Sequence, residues 1–376
     1  MKTALHLIES LSDFGGTPRM LLYLAAHNDR VANQLVFATY LPSPLLPAFE
    51  QYGATVVNFD TSSLWHLVRH IVATARATHA DVICTHFTRP LVAGFFASLR
   101  MGLPLIHNEH SSTHYRTGLG HRLAQLCLPF ADTVICNSHY TASTIANAYR
   151  IAPERLQVLH NPVEERQLTQ AREQVRGQLK LGAGDLVIGH VGGMIATRDQ
   201  GTLLKAFREI QTQHPNAHLV LIGDGPLRGE LVSLAGQLGI SAAVHFIGYT
   251  AQVGDYLGAM DIYVNTTLDE GFGIAVVEAM LAGLPVVLAN AGAHPELITD
   301  GVHGVFYPGG DDRRLAQKIL ELLDQPDKRR RLGDAARETA RARFAPGHYV
   351  SGYDAIIDDV LARSKKPRFQ TAQKRV

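Results

Sequence analysis

Two carboxylates frame the stretch Glu270-Gly271-Phe272-Gly273-Ile274-Ala275-Val276-Val277-Glu278. Glu278 falls inside a mostly apolar helical pattern, where an unpartnered charge is costly to bury. Ribose or hexose hydroxyls are suitable donors to such a carboxylate; an exposed helix face is the plainer alternative. Glu270 stands before two glycines at a helix start, a position hard to account for as scaffold. Four glycine-rich turns recur at the same kind of station, where a strand pattern gives way to a helix pattern. They are Gly15-Gly16, Gly192-Gly193, Gly223-Asp224-Gly225-Pro226 and Gly271-Phe272-Gly273. Glycine lets a backbone approach a ligand closely, and the free N–H groups of a helix start favour an anion. One such turn alone says little, since many merely reverse the chain; their recurrence in both halves points to phosphate. None matches a P-loop or the GxGxxG dinucleotide fingerprint, which argues against an NTPase and a nicotinamide enzyme.

The elements that must hold these turns read as alternating strands and helices, the pattern of parallel sheets. Strands are predicted at Thr3–Ile8, Gln34–Ala38, Thr55–Phe59, Val82–Thr85, Leu105–His107, Thr133–Cys136 and Gln157–Leu159. The second half repeats the scheme at Val187–Val191, His218–Ile222, Val244–Ile247, Ile262–Asn265, Pro285–Ala289 and Val305–Tyr307. Helices are predicted at Leu64–Ala77, Arg122–Phe130 and Ile274–Ala282, then at Arg329–Arg343 and Tyr349–Leu361. The rhythm falters between Asn161-Pro162 and Gly182–Asp185, which places a domain boundary there. The fold class is α/β, two doubly wound Rossmann-like domains facing across a cleft, with ligands beyond the carboxyl ends of the strands.

Size and composition agree. A chain of 376 residues exceeds one ordinary core, and 46% hydrophobic content can fill two. A formal net charge of +1 gives no field for nucleic acid. Cys84, Cys127 and Cys136 are odd in number, lack metal-ligand spacing and suit buried thiols in a reducing compartment. The early apolar run Ala4–Ile8 is too short for a signal-peptide core, and no stretch approaches the ~18 apolar residues of a membrane span, so a cytoplasmic location is expected. The tail 365–376 carries Lys365, Lys366, Arg368, Lys374 and Arg375 with almost nothing to pack. It reads as a solvated end or as a contact with anionic lipid head groups at the inner face of the membrane.

Twelve of the 19 histidines precede Asn161, and His107, His110 and His114 lie close together. The helical HExxH spacing is absent, and a continuing strand would point His107 and His110 to opposite faces, so no metal site is expected. His86 and His160 read as structural or as lining a cleft.

Residues 270–280 resemble the E-G-F-G-x-x-x-x-E-A-M signature of family 4 retaining glycosyltransferases, which have the two-domain GT-B fold. Further likenesses occur in the family's order: Asn161-Pro-Val, Asp199 to Phe207, Gly223-Asp-Gly-Pro, Phe246-Ile-Gly248, Gly283-Leu-Pro-Val-Val and Gly292 to Glu296. In the first half Gly15-Gly16 with Arg19, Asn108-Glu-His110 and Cys136-Asn-Ser138 resemble its weaker stations. The resemblance implies an amino-terminal acceptor-binding domain at 1–162 and a nucleotide-sugar-binding domain at 163–347. It also implies a helix, 348–364, returning to the first domain.

The same resemblance implies roles. Glu278 would hold the ribose hydroxyls; Glu270, Gly271, Phe272, Gly273 and Ile274 would hold the donor sugar and its phosphate. Ile247 would border the base through its backbone, Gly223 would line the donor, and Gly15 and Gly16 would close over the diphosphate. His110 would sit near the reacting carbon as a catalytic residue beside Glu270. No metal or other cofactor is implied; the substrates are a UDP-, GDP- or similar sugar and a carbohydrate or lipid-linked hydroxyl acceptor. One departure stands out. The family's phosphate turn reads G-R-L with a lysine four residues later, whereas here Gly193 replaces the arginine and Arg198 the lysine. Arg198 can still pair with phosphate, and Arg19, Arg89 or Arg116 could stand in for the other cation. An epimerase on the same fold and a catalytically silent nucleotide-binding subunit are the alternative readings.

Overall fold

The structure is a computed structural model that describes residues 2–9, 16–28, 30–37, 45–53, 56–58, 63–110 and 118–364. Gly15, His114, Arg116 and the basic tail lie outside the described residues, as do Ala38, Thr55 and Phe59 at the ends of two predicted strands. The chain divides into two compact units, Met1–Pro162 with Pro346–Val376, and Val163–Ala345.

The first unit is built on seven parallel strands. They are β1 (Lys2–Ile8), β2 (Val31–Phe37), β3 (Val56–Asn58), β4 (Val82–His86), β5 (Leu105–Glu109), β6 (Thr133–Cys136) and β7 (Leu156–Val158). Their order in the sheet is β3-β2-β1-β4-β5-β6-β7. Both faces are covered. Leu5, Leu7, Ile83, Leu105 and Val134 pack beneath helices Leu64–Ala77 and Thr88–Met101, while Ala4, Ile8, Val82, Cys84 and Ile106 join the opposite core. That alternation is the period of two of a strand buried on both sides. Helix Pro346–Ser364 completes the second face with Tyr349, Tyr353 and Ile357. Asn28 Nδ2 donates to Asp354 Oδ1 at 2.6 Å, and Lys2 and Arg30 both pair with Asp358.

The second unit has six parallel strands: β8 (Leu186–Val191), β9 (Ala217–Ile222), β10 (Val244–Gly248), β11 (Ile262–Asn265), β12 (Val286–Ala289) and β13 (Gly304–Tyr307). The order β10-β9-β8-β11-β12-β13 reverses direction between β8 and β11. In an open α/β sheet the crevice outside that reversal is where ligands bind. In the first unit the reversal lies between β1 and β4.

Every predicted strand is present, shifted by a residue or a few at its ends. The last two helices begin earlier than predicted, at Pro326 and Pro346. Proline is well placed in a first turn because the N–H it lacks has no intrahelical acceptor there. The chain accordingly crosses back to the first unit at Ala345–Pro346, two residues before the 347/348 boundary read from the sequence. Cys84, Cys127 and Cys136 are buried and free. Among the described residues no helix is long and apolar enough to cross a membrane.

Candidate functional site

Three loops meet at the carboxyl ends of β8, β11 and β12 in the second unit. The loop after β8 ends in the short turn Ala196–Arg198, and the loop after β11 is stitched to it by backbone. Thr266 Oγ1 donates to the Arg198 carbonyl at 2.6 Å, and the Leu268 amide donates to the Thr197 carbonyl at 3.1 Å. The Arg198 side chain then returns along the same seam. Its Nη1 donates to Thr267 Oγ1 at 3.1 Å and makes an ion pair with Glu270 Oε2. Arg198 keeps 29% of its side chain exposed against 10% for Glu270, so the guanidinium is the partner with room to turn towards a ligand.

Glu270 is fixed by its own backbone. The Ala293 amide, from the loop after β12, donates to the Glu270 carbonyl at 2.8 Å. Gly292 packs so closely that a Cβ on it would lie 2.6 Å from both the N and the O of Glu270, and its φ is +57°. Phe272 sends its ring into the core, 2% exposed and edge-on to Phe344 at 5.6 Å. Its side chain anchors the turn, leaving only its backbone for any ligand. Gly273 adopts φ +97° to open helix Ile274–Leu281, whose first amides have no intrahelical acceptor.

Glu278 projects from the middle of that helix and is 8% exposed, which removes the exposed-face alternative. Its partner is Arg166, whose Nη2 and Nε donate to the same oxygen, Oε1, at 2.6 and 2.9 Å. That pairing leaves the other oxygen, Oε2, to accept from a ligand. Sequence reasoning missed Arg166, because it lies in the linker, where no spacing ties it to residue 278.

The turn after β9 packs directly on the turn after β8. Gly223, at φ +124°, would place a Cβ 2.2 Å from the Gly192 carbonyl oxygen. The need for glycine at 223 is thus explained by backbone packing, whatever else the turn binds. Gly193 is different: a Cβ there would meet only the Asp224 carbonyl, at an ordinary 3.7 Å. On the edge strand β10 the register slips between Phe246 and Gly248, so Ile247 has no opposite residue on β9. A bulged residue is left out of the ladder, which suits the backbone role the resemblance implies for Ile247.

Two histidines lie beneath these loops. His190 Nδ1 is 3.0 Å from the Val264 carbonyl, and burial, with a smaller push from Arg198, lowers its pKa from 6.5 to about 4 despite that bond. The unfolded chain therefore takes up a proton near 6.5 and the folded chain only near 4. Stability from this group is present above that window and lost as pH falls through it. From pH 7 to 5 the loss is about 2 kcal/mol for this group. Denaturant unfolding at the two pH values should show a difference smaller by about that amount in His190→Gln than in the wild type; equal differences would contradict the assignment. His294 bonds the Ala289 carbonyl through Nδ1 at 2.8 Å, and burial lowers its pKa as well. Among the described residues its Nε2 and the nearby strand-end Asn265 Nδ2 meet no hydrogen-bond partner.

In the first unit the strand ends gather histidines. His6 Nδ1 lies 3.1 Å from His86 Nε2, and His86 Nδ1 lies 2.9 Å from His110 Nε2. The His86 and His110 rings stack at 5.2 Å. Burial first, then the neighbouring His110, His6 and His107, hold the His86 pKa well below its ordinary value. A neutral His86 has one N–H, so it donates to one neighbour and accepts from the other, and it orients half-buried His110. His107 turns elsewhere, to Thr85 Oγ1 at 2.9 Å. Among the described residues no group of three His, Cys, Asp or Glu is placed to hold a metal. Gly16 opens helix Gly16–His27, with Arg19 exposed in its first turns.

The chain resembles known proteins along most of its length. The pattern of the family described as Glycosyl transferases group 1 matches residues 171–339, and that of Glycosyltransferase Family 4 matches residues 14–167. N-acetyl-alpha-D-glucosaminyl L-malate synthase of Bacillus anthracis is 25% identical over 308 residues, 80% of each chain. D-inositol 3-phosphate glycosyltransferase of Mycolicibacterium smegmatis is 28% identical over 332 residues, 81% of this chain and 75% of that one. Among solved structures, Anabaena HepE in complex with UDP-glucose superposes with a TM-score of 0.82 at 25% identity, covering 96% of this chain and all of that one.

Proposed function

We propose that this chain, which belongs to the family 4 glycosyltransferases and has their GT-B fold, transfers a sugar from a UDP-linked donor to a hydroxyl acceptor with retention of configuration. The observation that carries this reading is the Arg198–Glu270 pair, held by three loops outside the sheet reversal of the second unit. Arg198 turns from Glu270 to the diphosphate, and Glu270 is freed for the hydroxyls of the donor sugar. Gly193 and the first amides of helix Ile274–Leu281 face the phosphates through their backbones, while Gly223, whose amide donates to the Gly248 carbonyl at 2.9 Å, lines the turn beside them. Glu278, steadied by Arg166, takes the ribose hydroxyls, and Ile247 borders the base. Within the first unit, Gly16 opens a helix and His110 follows the end of β5, the stations the resemblance gives them.

In the reaction, the bond between the anomeric carbon and the phosphate oxygen breaks. The bond to the acceptor oxygen forms on the same face, and the acceptor proton passes to the departing phosphate oxygen. Arg198 and the helix amides supply positive potential where the leaving charge develops, which is electrostatic preorganisation and needs no metal. The acceptor is a glycan or a lipid-linked precursor, and the buried thiols suit a cytoplasmic enzyme. UDP is the nucleotide to try first, because HepE was solved with UDP and with UDP-glucose.

A thermal-shift series tests donor binding. UDP-glucose at 100 times its dissociation constant adds about 2.7 kcal/mol, a rise of roughly 5–10 °C for a unit of this size. No rise with any of the UDP-, GDP- and ADP-sugars would remove the reading; isomerisation of a donor without acceptor would replace it with an epimerase.

The space at Gly193 gives a second test. A Cβ there meets only the Asp224 carbonyl, at 3.7 Å, and an arginine would restore a second cation at the phosphate turn. Gly193→Arg is expected to tighten UDP binding about tenfold, within the range for one charge-assisted hydrogen bond. Calorimetry reads this directly; an unchanged constant would show that the turn does not face the phosphates.

A further inference from the structure

The outer layer of the first unit carries an apolar surface that the transferase site does not use. Trp65, the single tryptophan of the chain, is 63% exposed on helix Leu64–Ala77. Its ring meets Phe96 at 5.3 Å; Phe96 meets Phe95 at 5.5 Å, and Phe95 meets Phe130 at 6.0 Å. Leu99, Leu126 and Phe130 are 60–67% exposed beside them. Three neighbouring helices, Leu64–Ala77, Thr88–Met101 and Gly118–Cys127, with the short turn Leu128–Phe130, therefore present a connected aromatic and aliphatic surface. Isolated exposed apolar residues are ordinary; a connected surface of this kind marks an interaction site.

Its charge is one-sided. None of the three helices carries an acidic residue. Each bears an exposed arginine one helical turn from an apolar member of the surface: Arg69 from Trp65, Arg100 from Phe96 and Arg122 from Leu126. A second copy of the chain, meeting this face with the same face, would set arginine against arginine. An anionic bilayer complements both features, because Trp and Phe settle at the head-group boundary while the arginines reach lipid phosphates.

We propose that this three-helix face docks the first unit on a membrane surface rich in anionic lipid, independently of the basic tail. Each basic side chain near such a surface contributes about 1 kcal/mol, so three arginines and the buried rings give reversible attachment.

Trp65 reports the event itself. The full chain is titrated with vesicles of phosphatidylglycerol mixed with phosphatidylcholine, and with phosphatidylcholine alone. A blue shift of Trp65 emission is expected with the anionic vesicles only. Arg100→Gln with Arg122→Gln should weaken the partitioning about thirtyfold, which is two charges at the quoted increment. Phe130→Ser should weaken it with the circular dichroism spectrum unchanged. In the same full chain, Lys365→Gln, Lys366→Gln and Arg368→Gln together should leave the Trp65 shift in place. Three results would overturn the proposal: an emission unmoved by anionic vesicles, a blue shift that grows with protein concentration alone and so marks self-association, or a shift abolished by the tail substitutions and kept by the arginine ones.

Discussion

Glu270→Ala is expected to lower turnover about a thousandfold, close to 4 kcal/mol of transition-state stabilisation, while the second unit keeps its stability within about 1 kcal/mol. Two features lead to this split. The carboxylate touches Arg198, which sits at the mouth of the sheet reversal, so its loss removes both a hydroxyl acceptor and the group that aims the guanidinium. Arg198 itself retains exposure and the bond to Thr267, so the substitution strands no buried charge. Steady-state kinetics with UDP-glucose and an accepted acceptor, beside a denaturant midpoint, give both numbers. A variant keeping more than about a tenth of wild-type turnover would show that Glu270 lies away from the chemistry.

Gly292→Ala acts on the same carboxylate without touching it chemically. The added carbon would stand 2.6 Å from the Glu270 amide nitrogen and carbonyl oxygen, and both atoms are backbone, so neither can swing aside. The residue must also hold φ +57°, which costs an alanine about 1 kcal/mol. The loop has to shift, and Glu270 moves with it. A displacement on the order of 1 Å costs about a hundredfold in rate, so turnover should fall by that factor, with a loss of stability of about 2–3 kcal/mol. Equal turnover in Gly292→Ala and the wild type would mean that the loop after β12 does not set the carboxylate.

The fold was legible because both faces of each sheet are buried, so every strand announces itself as an apolar run between turn residues. Glu270 and Glu278 were legible for the opposite reason: charge in apolar surroundings requires a partner. What the sequence did not disclose is the partner. Arg166 reaches Glu278 across 112 positions of chain, and Thr266 and Thr267 act through contacts with Arg198 that no local spacing encodes. His6 carried no sequence signal of its own, because its place beside His86 depends on the pairing of β1 with β4. The glycines divide in a way only coordinates reveal, with 223 and 292 forced by close backbone approach and 193 under no such constraint.

The central claim is that the turns after β8 and β11 hold the diphosphate of a nucleotide-sugar. Amide hydrogen exchange of the full chain, with and without saturating UDP, tests it most directly. Protection is expected to concentrate in residues 192–198 and 270–278, with residues 312–324 on the far helix unchanged. Binding of UDP with no change in either stretch, or with protection confined elsewhere, would contradict it.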